Sequence, residues 1–229
     1  MTKIMPLEER SIDNHIDDHV DKEIQDCFSV DAPKCFFVFA GAGSGKTRSL
    51  INTLTFLDKE RGESLLMNGK QIAVITYTNA ACDEISKRLQ YKPIFSVSTI
   101  HSFLWDLIKS YQADIKEWIT QSVKKEIEEL RQKQLKGRGG KVGEKRAEDI
   151  RKKTERLAKI ETVKKFSYNP NGNNVGYDAL SHSEVVKMST EFIAMEPTMQ
   201  DILTAKYPIL LIDESQDTKK ELVDALLIV

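Results

Sequence analysis

Short apolar runs separated by helix-like stretches set the pattern of this chain. Between the runs, apolar residues recur three or four positions apart, which is the spacing of an amphipathic helix. One run, residues 72–76, does not alternate with polar residues, and this is typical of a strand covered on both faces. Strands that alternate with helices predict a parallel α/β sheet. The predicted strands are residues 35–39, 72–76, 95–99 and 209–212.

The helical spacing is longest between Trp105 and Leu130, where it predicts one uninterrupted helix that continues from His101. Residues 58–70 are polar and contain two glycines, so we expect a surface connection there. The last predicted helix is still apolar at Val229, and we expect the sequence to be part of a longer chain. The other predicted helices are residues 17–28, 48–57, 79–89, 147–163, 181–195, 199–205 and 219 onwards.

Composition narrows the class of protein. The chain has 229 residues, of which 40% are hydrophobic, so a substantial core is expected. Three cysteines without metal-ligand spacing predict a reducing, cytoplasmic compartment. No apolar run approaches the ~18 residues of a membrane span, and no membrane partner is expected. The net charge is −1, but residues 124–165 hold sixteen Lys/Arg and eight Asp/Glu.

A glycine-rich stretch that ends in Lys46-Thr47 separates the first predicted strand from the next helix. Glycines let backbone N–H groups surround a phosphate, and a helix N-terminus adds unpaired donors. We expect Lys46 to bind the β- and γ-phosphates and the Thr47 hydroxyl to hold Mg²⁺. The phosphate-loop pattern G-x-x-x-x-G-K-[ST] begins with glycine, whereas Ala40 stands at that position here. The predicted nucleotide-binding residues are Ala40, Gly41, Ala42, Gly43, Ser44, Gly45, Lys46, Thr47 and Arg48.

Two carboxylates, Asp213 and Glu214, follow the last predicted strand. The carboxyl ends of parallel strands converge on a ligand crevice, so we expect this pair near the phosphate loop. Asp213 is predicted to hold Mg²⁺, and Glu214 to orient and deprotonate the attacking water. Taken alone, the pair is equally consistent with acidic residues at the start of a helix.

Four segments resemble, in order, motifs I, Ia, Ib and II of the UvrD/Rep/PcrA-type superfamily 1A DNA helicases. The Asp-Glu-Ser-Gln-Asp-Thr sequence that begins at Asp213 is the pattern specific to that branch of phosphate-loop proteins. The resemblance implies a RecA-like P-loop NTPase fold and the N-terminal ATP-binding motor domain of a helicase. Such a motor couples ATP hydrolysis to movement on single-stranded DNA and to duplex unwinding. The four segments are residues 40–47, 75–81, 98–103 and 212–218.

The resemblance also implies roles for single residues. Gln25, fifteen positions before Ala40, would read the adenine edge, and Gln216 would sense the γ-phosphate. Tyr77 would stack on a DNA base, and its alternative is a core aromatic at a strand end. The residues expected near the DNA backbone are Thr78, Asn79, His101 and Ser102. For His101, the alternative is a histidine at a helix start that is satisfied locally.

Residues 106–190 resemble the helical accessory domain of this family, inserted into an ATP-binding domain formed by residues 1–105 and 191–229. The basic run could contact duplex phosphates or could be a solvated helix face, and both interpretations stay open. The expected partners are single-stranded DNA, junctions of single- and double-stranded DNA, and either a C-terminal motor domain or another protein.

Two alternatives to a helicase motor remain at this point. The protein could be a DNA-stimulated ATPase of a defence or repair complex that does not unwind. It could also be a nucleotide-binding module that docks on a partner such as a nuclease. Because the family takes its γ-phosphate arginines from a second motor domain, we expect low activity from residues 1–229 alone.

Overall fold

The computed structural model contains one parallel sheet, in the order β2–β1–β3. Its strands are β1 (Ile72–Thr76), β2 (Phe95–Thr99) and β3 (Ile209–Ile212). Ile72 pairs with Phe95 on one side and with Ile209 on the other. The structure describes residues 18–29, 34–38, 45–137, 140–213 and 219–227.

Helices surround this sheet and also build a long insertion between β2 and β3. A π-helical turn, Asp58–Gly62, links two of them. The helices are α1 (Asp18–Asp26), α2 (Lys46–Leu57), α3 (Glu63–Met67), α4 (Asn79–Arg88), α5 (Ile100–Ile108), α6 (Gln112–Lys136), α7 (Lys141–Ile160), α8 (His182–Met195), α9 (Pro197–Lys206) and α10 (Lys220–Leu227). Among the described residues, no helix combines the length and the apolar composition that crossing a membrane requires.

The two faces of β1 enter different parts of the core. Ile72 and Val74 pack with Leu54 and Leu57 of α2. Ala73 and Ile75 face the opposite way, into a cluster to which α5, α6 and α8 contribute most, with further residues from α9 and α10. Each fully buried leucine or isoleucine stabilises such a core by about 1.5–3 kcal/mol. This arrangement is the mixed α/β fold with a parallel sheet that the sequence predicts, and the fold class is therefore confirmed.

The insertion is an antiparallel pair, α6 and α7, continued by α8. Apolar side chains four residues apart on α6 are buried, from Ile115 to Ile127, whereas α7 buries Ile160 alone among its residues. This explains why α7 is so strongly charged: most of its surface faces water. The buried cluster runs from the sheet into α6. The division of the chain at residues 106–190 stays a prediction.

The strand predicted over residues 35–39 is wrong for the part that the structure describes. Residues 34–38 form neither strand nor helix, and Phe37 and Val38 are 53% and 44% exposed. The segment is held instead against the end of α1, where the rings of Phe28 and Phe36 meet edge to face at 5.5 Å. An apolar run becomes a strand only where a neighbouring backbone offers it hydrogen bonds. Phe39 lies outside the described residues.

The single long helix predicted from His101 to Leu130 is also wrong, because the chain breaks between α5 and α6. The side-chain amide of Gln112 stabilises the break with two hydrogen bonds, one from its nitrogen and one to its oxygen. Its Nε2 donates to the carbonyl of Lys109 at 2.8 Å, and its Oε1 accepts from the N–H of Phe166 at 2.7 Å. The apolar spacing continues across the turn, which is why periodicity alone could not reveal it.

The predicted surface connection at residues 58–70 is helical over most of its length. Its charged side chains find partners outside the segment: Asp58 pairs with Lys92 at 2.5 Å, and Arg61 donates to the carbonyl of Phe28. Tertiary contacts of this kind override a weak local preference for coil. Helix α7 likewise begins earlier than predicted, at Lys141 instead of residue 147.

Candidate functional site

Helix α2 begins at a glycine whose backbone conformation other residues rarely adopt. Gly45 has φ 84° and ψ 10°, and its carbonyl accepts from the N–H groups of Arg48 and Ser49 at 2.8 and 3.0 Å. A side chain in this left-handed region costs about 1–2 kcal/mol. Lys46 and Thr47 form the first turn of α2, where backbone N–H groups lack intrahelical acceptors and favour an anion. Residues 39–44 lie outside the described part of the chain, so the roles of Ala40, Gly41, Ala42, Gly43 and Ser44 stay predictions.

The end of α2 is anchored close to the start of β2. There, α2 leads into Asp58, which pairs with Lys92, three residues before β2 begins. Leu50, Leu54 and Leu57 contact the sheet cluster along the length of the helix. Twelve helical residues span about 18 Å, and five strand residues about 17 Å. From these lengths we infer that α2 extends back along the strands, with Lys46 and Thr47 toward their carboxyl ends.

Asp213 lies at that same edge. It directly follows β3, and its N–H donates to the carbonyl of Ile75 at 2.8 Å, which continues the β1–β3 pairing by one step. The Thr47 hydroxyl and the Asp213 carboxylate are hard oxygen ligands of the kind that Mg²⁺ prefers, so these two residues fit the ion chemically. Glu214 and Gln216 lie outside the described residues.

The turn after β1 is held by its own threonines. Thr76 Oγ1 donates to the carbonyl of Thr78 at 3.0 Å, and Thr78 Oγ1 caps α4 by accepting from the N–H of Ala81 at 3.1 Å. Cys82 Sγ lies 2.9 Å from Thr76 Oγ1, and burial raises the pKa of this thiol. The turn leaves the ring of Tyr77 47% exposed, so Tyr77 is not a core aromatic.

The turn after β2 is built in the same way. Thr99 caps α5, because its Oγ1 accepts from the N–H of Ser102 at 3.3 Å. The Ser102 hydroxyl also lies 2.9 Å from Thr99 Oγ1, so it belongs to the cap. The cap leaves His101 half-buried on the first turn of the helix. Burial lowers the pKa of His101, and the nearby His182 and Lys219 lower it further.

These two turns form one wall of an open polar groove. Tyr77, Thr78, Asn79 and His101 line it together, whereas Ser102 does not. The opposite wall comes from the insertion, as the turn at residues 170–173 and His182. Four of the five residues predicted near DNA thus meet at one place, although their role there stays a prediction.

Two contacts join the walls of the groove. Asn79 Nδ2 donates to Asn171 Oδ1 at 2.9 Å, and the rings of His101 and His182 lie 5.0 Å apart. Sequence reasoning did not assign a site role to residues 170–173 or to His182. The only signal was the asparagine-rich composition of residues 169–174, which predicts a turn and says nothing about what the turn faces.

Gln25 lies on α1, next to α2. The two helices are joined by Asn52 Nδ2, which donates to Asp21 Oδ2 at 2.7 Å. Gln25 is half-buried, and its contact with adenine stays a prediction. Arg48 is exposed on the first turn of α2.

Comparison with known proteins now identifies the family. Residues 22–179 match the family model described as the UvrD/REP helicase N-terminal domain. The chain belongs to this family. The resemblance inferred from the four motifs is thereby confirmed.

Two relatives show how much of a longer protein this UvrD/REP domain represents. It is 27% identical to Gabija protein GajB of Bacillus cereus strain HuB5-5 in an alignment 258 positions long, which covers 85% of this chain and 38% of GajB. It is 30% identical to a probable DNA helicase II homolog of Mycoplasma capricolum subsp. capricolum over 99 residues, which cover 41% of this chain and 13% of that protein. The chain therefore spans well under half the length of either relative.

Proposed function

We propose that this UvrD/REP domain binds ATP with Mg²⁺ and drives a longer protein along single-stranded DNA, where it unwinds duplexes ahead of it. The observation that carries the proposal is Gly45 at the start of α2. Its left-handed conformation begins a twelve-residue helix with Lys46-Thr47 in the first turn. The family match supports the nucleotide and the DNA as substrates, since UvrD-type helicases are ATP-dependent.

Each residue of the proposed ATP site has a distinct task. Lys46 would bind the β- and γ-phosphates together with the N–H groups of the first turn of α2. Thr47 and Asp213 would hold Mg²⁺, which neutralises charge on the phosphate oxygens. Glu214 would take the proton of the attacking water. Gln216 would sense the γ-phosphate, and Gln25 would contact adenine.

In this proposal, strand β1 connects the DNA site to the ATP site. Asp213 is hydrogen-bonded to Ile75, and Tyr77 lies only two residues further along the chain. A shift of the residues after β3 during ATP hydrolysis would therefore act directly on the turn that carries Tyr77 and Thr78. Tyr77 would stack on a DNA base, and such stacking contributes about 1–3 kcal/mol to binding. The residues that would contact the DNA strand itself are Thr78, Asn79, His101 and Ser102.

The direct test is ATP binding and DNA-stimulated ATP hydrolysis. We expect calorimetry to detect Mg²⁺-dependent ATP binding to the protein and to Lys59→Ala, a control at an exposed lysine. Lys46→Ala should abolish that binding. ATP affinity unchanged by Lys46→Ala would contradict the proposed site.

A second measurement separates unwinding from simple ATPase activity. The longer protein that contains this domain should hydrolyse ATP faster with single-stranded DNA and should displace a strand from a tailed duplex. Stimulated hydrolysis without strand displacement would instead favour a DNA-stimulated ATPase. The second motor domain or another protein is then the partner to identify.

A further inference from the structure

An asparagine followed by glycine can lose its side-chain ammonia without any enzyme. Glycine has no Cβ, so its backbone nitrogen can approach the side chain of the preceding asparagine without steric hindrance. The chain contains two such pairs, Asn68-Gly69 and Asn171-Gly172. Their sequences are equivalent for this reaction, but their hydrogen bonds differ.

The reaction sets requirements on the nucleophile, on the oxygen that takes up charge and on the leaving group. The glycine nitrogen gives its proton to solvent and attacks the asparagine Cγ, while negative charge develops on Oδ1. The bond from Cγ to Nδ2 then breaks, and Nδ2 takes up a proton from solvent and leaves as ammonia. The cyclic imide that remains is opened by water to aspartate or isoaspartate. Overall, one water is consumed and one ammonia is released.

The pair Asn68-Gly69 is closed to this reaction by the end of α3. The N–H of Gly69 donates to the carbonyl of Leu66 at 2.9 Å, so the nucleophile is engaged. Asn68 Nδ2 donates to the carbonyl of Ser64 at 2.7 Å, so the leaving group is engaged as well. Both hydrogen bonds must open before the imide can form.

The pair Asn171-Gly172 lies at the groove and has the opposite arrangement. Asn171 is exposed, so water reaches it. Among the residues that the structure describes, none accepts a hydrogen bond from the N–H of Gly172 or from Asn171 Nδ2. Asn171 Oδ1 instead accepts from Asn79 Nδ2 at 2.9 Å. A donor placed on this oxygen stabilises the negative charge that develops there during the attack.

A carboxylate at residue 171 would be the first charge in this groove. Among the described residues that line the groove, none is Lys, Arg, Asp or Glu, so none would form an ion pair with it. The repulsion between such a charge and a phosphate extends about 10 Å at 0.1 M salt. Deamidation therefore changes the electrostatics of the whole groove.

We propose that Asn171 is a deamidation site, with Gly172 as the nucleophile and the Asn79 amide as the donor that stabilises the oxyanion. We further propose that the carboxylate formed there weakens the binding of single-stranded nucleic acid. This second part rests on the proposed function, because it assumes that the domain binds single strands. The first part depends on the hydrogen bonds of the two asparagine-glycine pairs alone.

The rates of deamidation test the first part. The protein is incubated at mildly alkaline pH, and peptide mapping by mass spectrometry follows the two sites in the same sample. In the folded protein, Asn171 should react about ten-fold faster than Asn68, because hydrogen bonds must open at Asn68 first. In urea that unfolds the protein, the two rates should become similar. Equal rates in the folded protein would overturn the proposal.

The role of Asn79 has its own variant. Asn79→Ala should slow the reaction at Asn171 about five-fold, the value of one neutral hydrogen bond. Asn52→Ala, which removes another exposed asparagine amide, on α2, is the control and should leave the rate unchanged. A faster reaction in Asn79→Ala would show that the hydrogen bond only restrains Asn171 and would overturn the role given to Asn79.

The second part is tested with Asn171→Asp, which carries the product charge, and a fluorescein-labelled oligothymidylate. Fluorescence anisotropy should show binding weakened about five-fold at low salt and less at higher salt. Asn68→Asp adds the same charge at an exposed position outside the groove, so its affinity should not change. Unchanged affinity in Asn171→Asp, or equal losses in the two variants, would overturn this part and leave the proposed function intact. If the unaltered protein does not bind the strand, the proposed function fails, while the deamidation rates still decide the first part.

Discussion

The backbone N–H of Asp213 donates to the carbonyl of Ile75 at 2.8 Å, and this bond fixes the residue after β3 beside the end of β1. One step further along β1, Thr76 is buried, and Tyr77 then turns outward. The residue expected to hold Mg²⁺ is therefore hydrogen-bonded to a strand residue that lies two positions before Tyr77, the residue expected to stack on DNA.

The conformation of Gly45 predicts the effect of adding a methyl group there. Gly45→Ala should destabilise the protein by about 1–2 kcal/mol, because φ is 84°, and should also weaken ATP binding. Gly69→Ala is the matched control: its φ is 66°, and its Cβ would meet open space. Urea denaturation should show similar losses of stability in the two variants. ATP affinity reduced equally in both would contradict a specific role for Gly45.

Removing the proposed catalytic base should separate ATP binding from hydrolysis. Glu214→Gln keeps the size of the side chain but cannot accept a proton from water, so binding should persist and turnover should stop. The measurement is ATP binding by calorimetry and phosphate release by the longer protein with single-stranded DNA. A normal rate of phosphate release would remove Glu214 from this role.

The pKa of His101 predicts a pH dependence of stability. Burial lowers this pKa below its ordinary value of 6.5, with further lowering by His182 and Lys219. The unfolded chain then binds a proton more readily than the folded one, so stability falls as the pH drops through 6.5 toward the folded pKa. Urea denaturation at pH 7 and pH 5 should show a smaller loss for His101→Gln than for the unaltered protein. Equal losses would show that His101 does not titrate differently on folding.

The ion pair between Arg156 and Glu184 joins α7 to the start of α8. Its atoms are 2.6 Å apart, and Glu184 also completes the capping box with Ser181. Burial raises the pKa of Glu184, but the Arg156 guanidinium and the hydrogen bonds from Ser181 outweigh it and lower the pKa overall. This contribution to stability is therefore present above the ordinary pKa of 4.5 and is lost as the pH falls below it.

Arg156→Gln should destabilise the protein by about 1–3 kcal/mol, because it leaves a largely buried carboxylate without its charged partner. Arg151→Gln is the control, since Arg151 pairs with Glu148 and Glu155 on an exposed helix face. Such surface pairs contribute little. Chemical denaturation of both variants at pH 7 gives the comparison, and an equal loss in the two would contradict the special weight of the α7–α8 pair.

The sequence by itself determined the elements whose signals are local. Residues 72–76, 95–99 and 209–212 are strands, and Ser181 and Glu184 form a capping box, as their patterns predict. Gly45 precedes the first residue of α2, as predicted, because the phosphate-loop motif contains both the glycine and the start of the helix. Strand periodicity, caps and turn residues depend on neighbours within a few positions, so they can be read from the chain alone.

Only the tertiary structure decided what each element faces. The apolar segment at residues 35–38 lies against α1 instead of entering the sheet, and Gln112 breaks a helix whose apolar spacing continues past it. The second wall of the groove depends on a hydrogen bond between Asn79 and Asn171, which are 92 residues apart. Contacts of this range arise from packing of the whole α5–α8 core, and no local pattern of residues encodes them.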